Sequence, residues 1–317
     1  MQSFFYFLSG VAMGIAETIP GVSAGTIALL IGIYDRFIKF ISSVITFGKN
    51  FILQIKEIFS KKFWSLQIKL LKNLDFSFAL PLVFGMIIAV AIFSNLFSRL
   101  LSNYPMQTLA VFFGMIIASI YAPVNEIKWS IKNFILSVVS FIFFFYLFGL
   151  SASKNSNPSL VFIFFGGAIA VSAMVLPGIS GSFVLLSMGL YEFIMSKIAK
   201  IFSFDFSQNN FLVVFVFILG IVFGFVSFIK ILEYILEKHK NILMSVIFGL
   251  LIASLRILWP FLDTKTGKSA EYMRKISPLN FSLQENFEII FFVIVGFLLV
   301  VTFLIVKTKT EKSKKVF

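Results

Sequence analysis

Two short segments carry the residue types that could hold a charged substrate: PGVSAGT (20–26) and PGISGS (177–182). Proline has no N–H to donate and glycine tolerates positive φ, so each segment interrupts a helix. A helix restarts after each break, with hydroxyls in its first turn. Its free N–H groups and the positive end of its dipole attract an anion. Pro20, Gly21, Ser23, Gly25 and Thr26, with Pro177, Gly178, Ser180, Gly181 and Ser182, therefore form a candidate phosphate cradle. The competing reading makes both segments structural turns whose serines cap helices.

Ionisable groups at membrane depth are costly and so default to functional candidates. Glu17, three residues before Pro20, is a candidate proton carrier. The alternative is a carboxylate bonded to nearby backbone donors. Arg256 in SLRILWP (254–260) suits two-point contact with a phosphate. The alternative is an arginine snorkelling to the interface. Arg36 and Arg99 read as interfacial anchors. Lys230, Glu233 and Glu237 are spaced for one helix face and read as a solvated, salt-bridged surface, with ion coupling as the alternative. There is one histidine, His239, placed in a loop, and no cysteine. Thiol chemistry and a multi-histidine metal site are excluded, and no catalytic group, metal or cofactor is expected.

These groups need a scaffold, and composition dictates its kind. Of 317 residues, 59% are hydrophobic and 13% charged, and the mean hydropathy is +1.00. A soluble domain carries roughly 25% charged residues. The apolar runs are continuous, which selects membrane helices over a β-barrel. The net charge of +13 comes from lysines flanking those runs, so nucleic-acid binding is not expected. The opening MQSFFYFLSG lacks a basic start and a cleavage site, and reads as the first membrane segment. Apolar segments fall near 3–19, 24–47, 80–101, 106–124, 133–152, 160–176, 183–200, 211–236, 241–260 and 287–306. Residues 48–79, with Lys49, Lys56, Lys61, Lys62, Lys69 and Lys72, read as a basic amphipathic helix on an anionic membrane surface. Residues 261–286 read as a mixed-charge loop and 307–317 as a basic cytoplasmic tail.

The chain also repeats itself. Pro20, Gly21, Ser23, Gly32 and Tyr34 recur as Pro177, Gly178, Ser180, Gly189 and Tyr191, an offset of 157 residues. Phe113, Gly114, Ile117, Ala118 and Ser119 recur as Phe248, Gly249, Ile252, Ala253 and Ser254, an offset of 135. Glu17 is replaced by Met174 in the second copy. Each Pro-Gly break divides two apolar arms of about 40 residues together, roughly 60 Å as helix. A bilayer core is about 30 Å thick. The arms must therefore enter and return, as a re-entrant hairpin or as two spans. Three spans separate the hairpins, so the second enters from the opposite face. The expected fold is an all-α polytopic membrane protein of about ten segments in two inverted repeats, 1–152 and 153–306. Each repeat is a Pro-Gly-broken, re-entrant helical hairpin followed by three transmembrane helices. Lysine excess on the side of both termini places them in the cytoplasm.

The segment GVAMGIAETIPGVSAGTIALLIGIYDR (10–36) resembles the signature of the polyprenyl-phosphate transporters of the PopT type. AMVLPGISGSFVLLSMGLYE (173–192) resembles that family's second signature, and SLRILWPF (254–261) a later element. The order is right along most of the chain. One position departs: Ala24 stands where the family usually has glycine. The resemblance implies return of undecaprenyl phosphate from the outer to the cytoplasmic leaflet, for recycling of the lipid carrier in cell-envelope synthesis. It places the family's acidic position on Glu17, its paired turns on 20–26 and 177–182, and its arginine on Arg256. The expected partners are polyprenyl phosphate, protons through Glu17, and anionic lipids at 48–79. The sequence also allows a homo-oligomer. Rival readings are a small-anion or ion-coupled secondary transporter or channel, a lipid phosphatase, and an assembly protein.

Overall fold

The structure is a computed structural model that describes residues 2–18, 23–149, 158–203, 207–262 and 277–315. Pro20 and Gly21 lie outside the described residues, as does 263–276 of the expected loop. Helices form the chain in this order: α1 Gln2–Glu17, α2 Ala24–Ile31, α3 Tyr34–Leu53, α4 Lys61–Lys72, α5 Phe76–Asn103, α6 Pro105–Ser119 and α7 Tyr121–Glu126. There follow α8 Ile131–Leu147, α9 Leu160–Val175, α10 Gly181–Ser187, α11 Tyr191–Phe202, α12 Gln208–Lys238, α13 Lys240–Ser254 and α14 Leu283–Lys315.

This is a polytopic all-helical membrane protein. Among the described residues, four stretches are long and apolar enough to cross a bilayer: Phe76–Asn103, Pro105–Glu126, Asn210–Lys238 and Leu283–Ile305. Ile131–Leu147, Leu160–Val175 and Lys240–Ser254 are shorter apolar helices. The expected arms 24–47 and 183–200 are not single helices. Gly32, at φ 77°, ends α2 after eight residues, and Gly189, at φ 69°, stands in the break that follows α10. Positive φ is open to glycine at little cost and ends a helix there. Beyond the second break α11 turns 113° from α10. At 1.5 Å per residue α2 is about 12 Å long, too short to cross.

Small residues set the helix packing. Gly10 of α1 lies on the Leu82 carbonyl of α5, and Gly85 of α5 on the Phe7 carbonyl of α1. In the second copy Gly167 of α9 lies on the Phe217 carbonyl of α12, and Gly220 of α12 on the Phe164 carbonyl of α9. The α1 and α9 residues differ by 157 and the α5 and α12 residues by 135, so the contact repeats in register. Two further pairs are exchanged between the copies. Gly114 of α6 meets Val293 of α14, and Gly296 meets Val111. Gly249 of α13 meets Ser137 of α8, and Ser140 donates to the Val246 carbonyl at 2.9 Å. Val111 and Val246 differ by 135; Ser140 and Gly296, like Ser137 and Val293, differ by 156. A side chain at any of these glycines would overlap backbone, the close approach that small residues permit between membrane helices.

Contacts at the helix ends fix direction. Tyr6, Arg36 and Asp75 meet at one face, where Lys240 also pairs with Asp35 and Glu126. The Lys128 N–H donates to Asn241 on that face, and Arg256 reaches Phe145 at the far ends of α13 and α8. Helices α1, α5, α8 and α13 therefore run away from this lysine-rich face, and α6, α9, α12 and α14 run toward it. Helices at matched positions run in opposite senses.

Segment 48–79 is not one helix. It contains the end of α3, a 3-10 turn at Ile55–Glu57, α4 and the start of α5. Residues 307–315, read as a solvated end, continue α14. His239 is the single residue between α12 and α13 rather than part of a longer loop. Each post-break helix is tied to the start of the next long helix. Arg36 bonds Asp75 at 2.6 Å beside the rings of Tyr6 and Phe78, and Lys197 bonds Asn210 at 3.0 Å. Asp75 and Asn210 are again 135 apart. The Arg36 hydrogen bond holds the Asp75 carboxyl below its ordinary range.

Candidate functional site

Every residue of α2 is buried. Its apolar side chains sit in the largest core cluster with Met13, Ile116, Leu251 and Val300, drawn from α1, α6, α13 and α14. The start of this short helix is thereby fixed inside the protein, the setting that an interrupted membrane helix requires.

The two interrupted segments meet there. Ser23 caps α2: its Oγ accepts the Gly25 N–H at 3.0 Å and donates to the Met174 carbonyl at 3.0 Å. Thr26 Oγ1 accepts the Gly178 N–H at 2.8 Å. Tyr34 donates to the Val175 carbonyl at 3.3 Å. Gly25 has no side chain because none fits: a Cβ would lie 2.7 Å from the Val175 oxygen and 3.3 Å from the Pro177 nitrogen. Gly178 holds φ 93°, which turns its N–H to Thr26. Ser23 and Thr26 are wholly buried, so these polar bonds are made away from water, where losing one is costly.

Glu17 closes the first segment. Its Oε1 accepts the Ala24 N–H at 2.9 Å. The Thr26 N–H goes to the Ser23 carbonyl at 3.0 Å. The N–H groups that a phosphate would seek at the start of α2 are thus occupied, and the first of them by a carboxylate. Ala24, the departure from the family pattern, lies buried at this point.

In the second segment Ser180 caps α10, accepting the Phe183 N–H at 3.4 Å. Its hydroxyl is 2.6 Å from that of Ser182. Gly181 fits against the Ala170 carbonyl, where a Cβ would approach to 2.7 Å.

Arg256 stands in the turn after α13. Its Nη1 donates to the Phe145 carbonyl at 2.7 Å, and its guanidinium lies 4.4 Å from the Phe145 ring centre. Gly149 leaves room for it. A cation at the end of α8 is favoured by the helix dipole. Arg256 approaches the serine pair indirectly: Phe148, which caps the end of α8, meets Phe183 of α10 at 5.5 Å, in an apolar cluster with Ile179 and Ala253. The structure brings Glu17, Ser23, Gly25 and Thr26 together with Pro177 and Gly178. It joins Ser180 to Ser182, and it bonds Arg256 to α8.

Sequence reasoning missed three members of this crossing: Tyr34 and the carbonyls of Met174 and Val175. Tyr34 was visible as part of the repeat. The carbonyls left no signal in side-chain type.

Among the described residues no group of three His, Cys, Asp or Glu could hold a metal ion. The model of the VCA0040-like family, described as undecaprenyl phosphate translocase-like, matches residues 13–276. The chain belongs to that family. It is 29% identical over 284 residues to the polyprenyl-phosphate transporter of Vibrio cholerae, covering 87% of this chain and 86% of that one. It is 33% identical over 278 residues to the polyprenyl-phosphate transporter of Staphylococcus aureus, covering 83% and 89%. No solved structure matches the chain.

Proposed function

We propose that the protein moves a polyprenyl phosphate, such as undecaprenyl phosphate, across the bacterial cytoplasmic membrane without chemical conversion. The names of the two relatives and the family description support the substrate. The observation that carries the site is the buried crossing of the two segments, where Thr26 bonds Gly178 and Ser23 bonds Met174. A phosphate must shed water to pass a low-dielectric core, and fixed N–H and hydroxyl donors replace that water. The donors proposed are those of 20–26 and 177–182, which must exchange the bonds they make here for bonds to the phosphate, with Arg256 on the approach. The lipid tail stays in the bilayer.

Glu17 gives this site a coupling device. Its carboxylate on the Ala24 N–H occupies the place of an incoming anion. Protonation of Glu17 weakens that bond and removes like charge, so the phosphate and a proton enter together. In a Glu17→Gln variant the amide oxygen still accepts from Ala24, but nothing titrates. Exchange should then persist and lose its response to a pH gradient; an unchanged response would remove the proton from the mechanism.

The chain is read as an inverted duplication divided near 152, a reading favoured by matched contacts in register and by opposite helix senses. The lysine-rich face is assigned to the cytoplasm by charge. On α4, Trp64, Ile68 and Leu71 are exposed among Lys61, Lys62, Lys69 and Lys72. That surface suits anionic lipid headgroups.

The deciding experiment is leaflet exchange of labelled undecaprenyl phosphate in proteoliposomes, beside a glycerophospholipid and free phosphate. Exchange of the polyprenyl phosphate alone, lost in Ser23→Ala, Ser180→Ala and Arg256→Ala variants that remain folded, supports substrate and site. Transport of free phosphate instead moves the assignment to a small-anion carrier. Exchange that survives all three substitutions removes the site and keeps the substrate.

A further inference from the structure

The two copies match in their glycine contacts but not in the packing of α3 and α11: among the described residues α3 lies along α12 of the other copy, and α11 along α12 of its own. On the lysine-rich face α3 packs along α12. Ser42 of α3 bonds Glu233 of α12, and Lys230 bonds the Ser42 hydroxyl. Lys230 also donates to Thr46 at 2.8 Å and lies 3.3 Å from Glu233. Lys39 stands 3.9 Å from Glu237. Nearby, Lys240 ties Asp35 to Glu126 at 2.8 and 2.9 Å. Ile38 is 0% exposed beneath these pairs.

The matched helices on the other face are α11 and α5, and they do not pack in this way. The position matching Ile38 is Met195, which is 41% exposed. The position matching buried Ser42 is Ala199, which is exposed, as are Ser196 and Ser102, the matches of Lys39 and Glu237. The charged partners are also gone: Lys230 and Glu233 correspond to Asn95 and Ser98.

From this asymmetry we infer that the α3–α12 contact is a gate, closed here on the lysine-rich face, and that packing of α11 on α5 is its alternative on the opposite face. The inference rests on the transport reading above. Two halves of one design with opposite senses can exchange conformations. What α3 does to α12 in one state, α11 does to α5 in the other. The exchange would bury Met195 and Ala199 and bring Ser196 to Ser102. The charges make the two closures unequal. Ion pairs hold the lysine-rich closure, and uncharged residues form the other. Partly exposed pairs are individually weak, so removing one should shift the balance a few-fold rather than lock it.

The chain has no cysteine, so introduced pairs report alone. The test uses the full chain in proteoliposomes with a short bifunctional thiosulfonate, which bridges two nearby cysteines reversibly. One variant carries Lys39→Cys with Glu237→Cys, the other Ser196→Cys with Ser102→Cys. Both pairs should cross-link, each should halt leaflet exchange until reduced, and in a variant carrying both pairs one bond should exclude the other. Adding Glu233→Gln should raise cross-linking of the 196–102 pair a few-fold. The inference is overturned if the 196–102 pair never forms in protein that exchanges lipid, or if exchange continues with the 39–237 bond closed. Cross-linking is read without substrate. Two mutually exclusive bonds in protein that fails to move polyprenyl phosphate would uphold the gate and reject the substrate.

Discussion

The Thr26 hydroxyl accepts the Gly178 N–H at 2.8 Å, and the two residues are 152 positions apart. Each belongs to an interrupted segment, one from each copy, and the bond is buried. Replacing Thr26 with Val keeps the shape and removes the acceptor, leaving a buried N–H unpaired. That should cost about 1–3 kcal/mol. Thermal unfolding in detergent should show the loss for Thr26→Val and little for Thr26→Ser.

Gly25 and Gly48 offer a paired test of space. A Cβ at Gly25 meets the Val175 oxygen at 2.7 Å, whereas one at Gly48 in α3 meets nothing within 4 Å. Gly25→Ala should lower both stability and lipid exchange by forcing the crossing apart. Gly48→Ala should leave exchange intact and stabilise the helix by roughly 0.5–1 kcal/mol. Equal behaviour of the two variants would show that the crossing is loose.

Gly178 tests backbone conformation. At φ 93° an L side chain is strained, and the nearest neighbour of an added Cβ is the Leu251 side chain at 3.0 Å. Gly178→Ala should destabilise the protein by about 1–2 kcal/mol through strain and weaken the bond to Thr26. If Gly178→Ala and Thr26→Val act through the same contact, the double variant should lose less than the sum.

Asp75 gives a pH dependence with a definite sign. Its carboxyl is held low by Arg36, so it binds a proton less readily folded than unfolded. The stability it contributes is present above the ordinary carboxylate range and is lost as the pH falls through its depressed folded value. Unfolding midpoints measured from neutral to acidic pH should fall more steeply in wild type than in Asp75→Asn. Parallel curves would mean that the Arg36 bond adds nothing to stability.

Much of the fold is legible in the sequence. The offsets of 157 and 135 came from motif residues, and the same offsets relate Gly10 to Gly167 and Gly85 to Gly220 in the packed helices. The exchanged pairs were hidden, because Ser137 with Val293 and Ser140 with Gly296 share no identity. The bends at Gly32 and Gly189 were printed in the motifs, yet the arms were read as continuous because apolar residues run on past them. Lys230 and Glu233 looked like a solvated face because their helix spacing is equally suited to that. Only the neighbouring helix reveals Ser42 and Thr46 across from them. For the candidate site, residue types indicated Ser23, Thr26 and Gly178. That Thr26 would bond Gly178, and that Glu17 would sit on the start of α2, depends on how two distant segments cross.

The exchange of α8 and α14 between the copies bears on assembly and descent. Gly114 on α6 has its partner in α14, and Ser137 on α8 has its partner in α13. Neither repeat of the proposed duplication completes its own packing: each leaves a small-residue seam that a helix of the other fills. Two separate half-length chains inserted in opposite orientations would present the same seams to each other. In the proposed duplication, the single chain corresponds to an antiparallel dimer whose two subunits are joined.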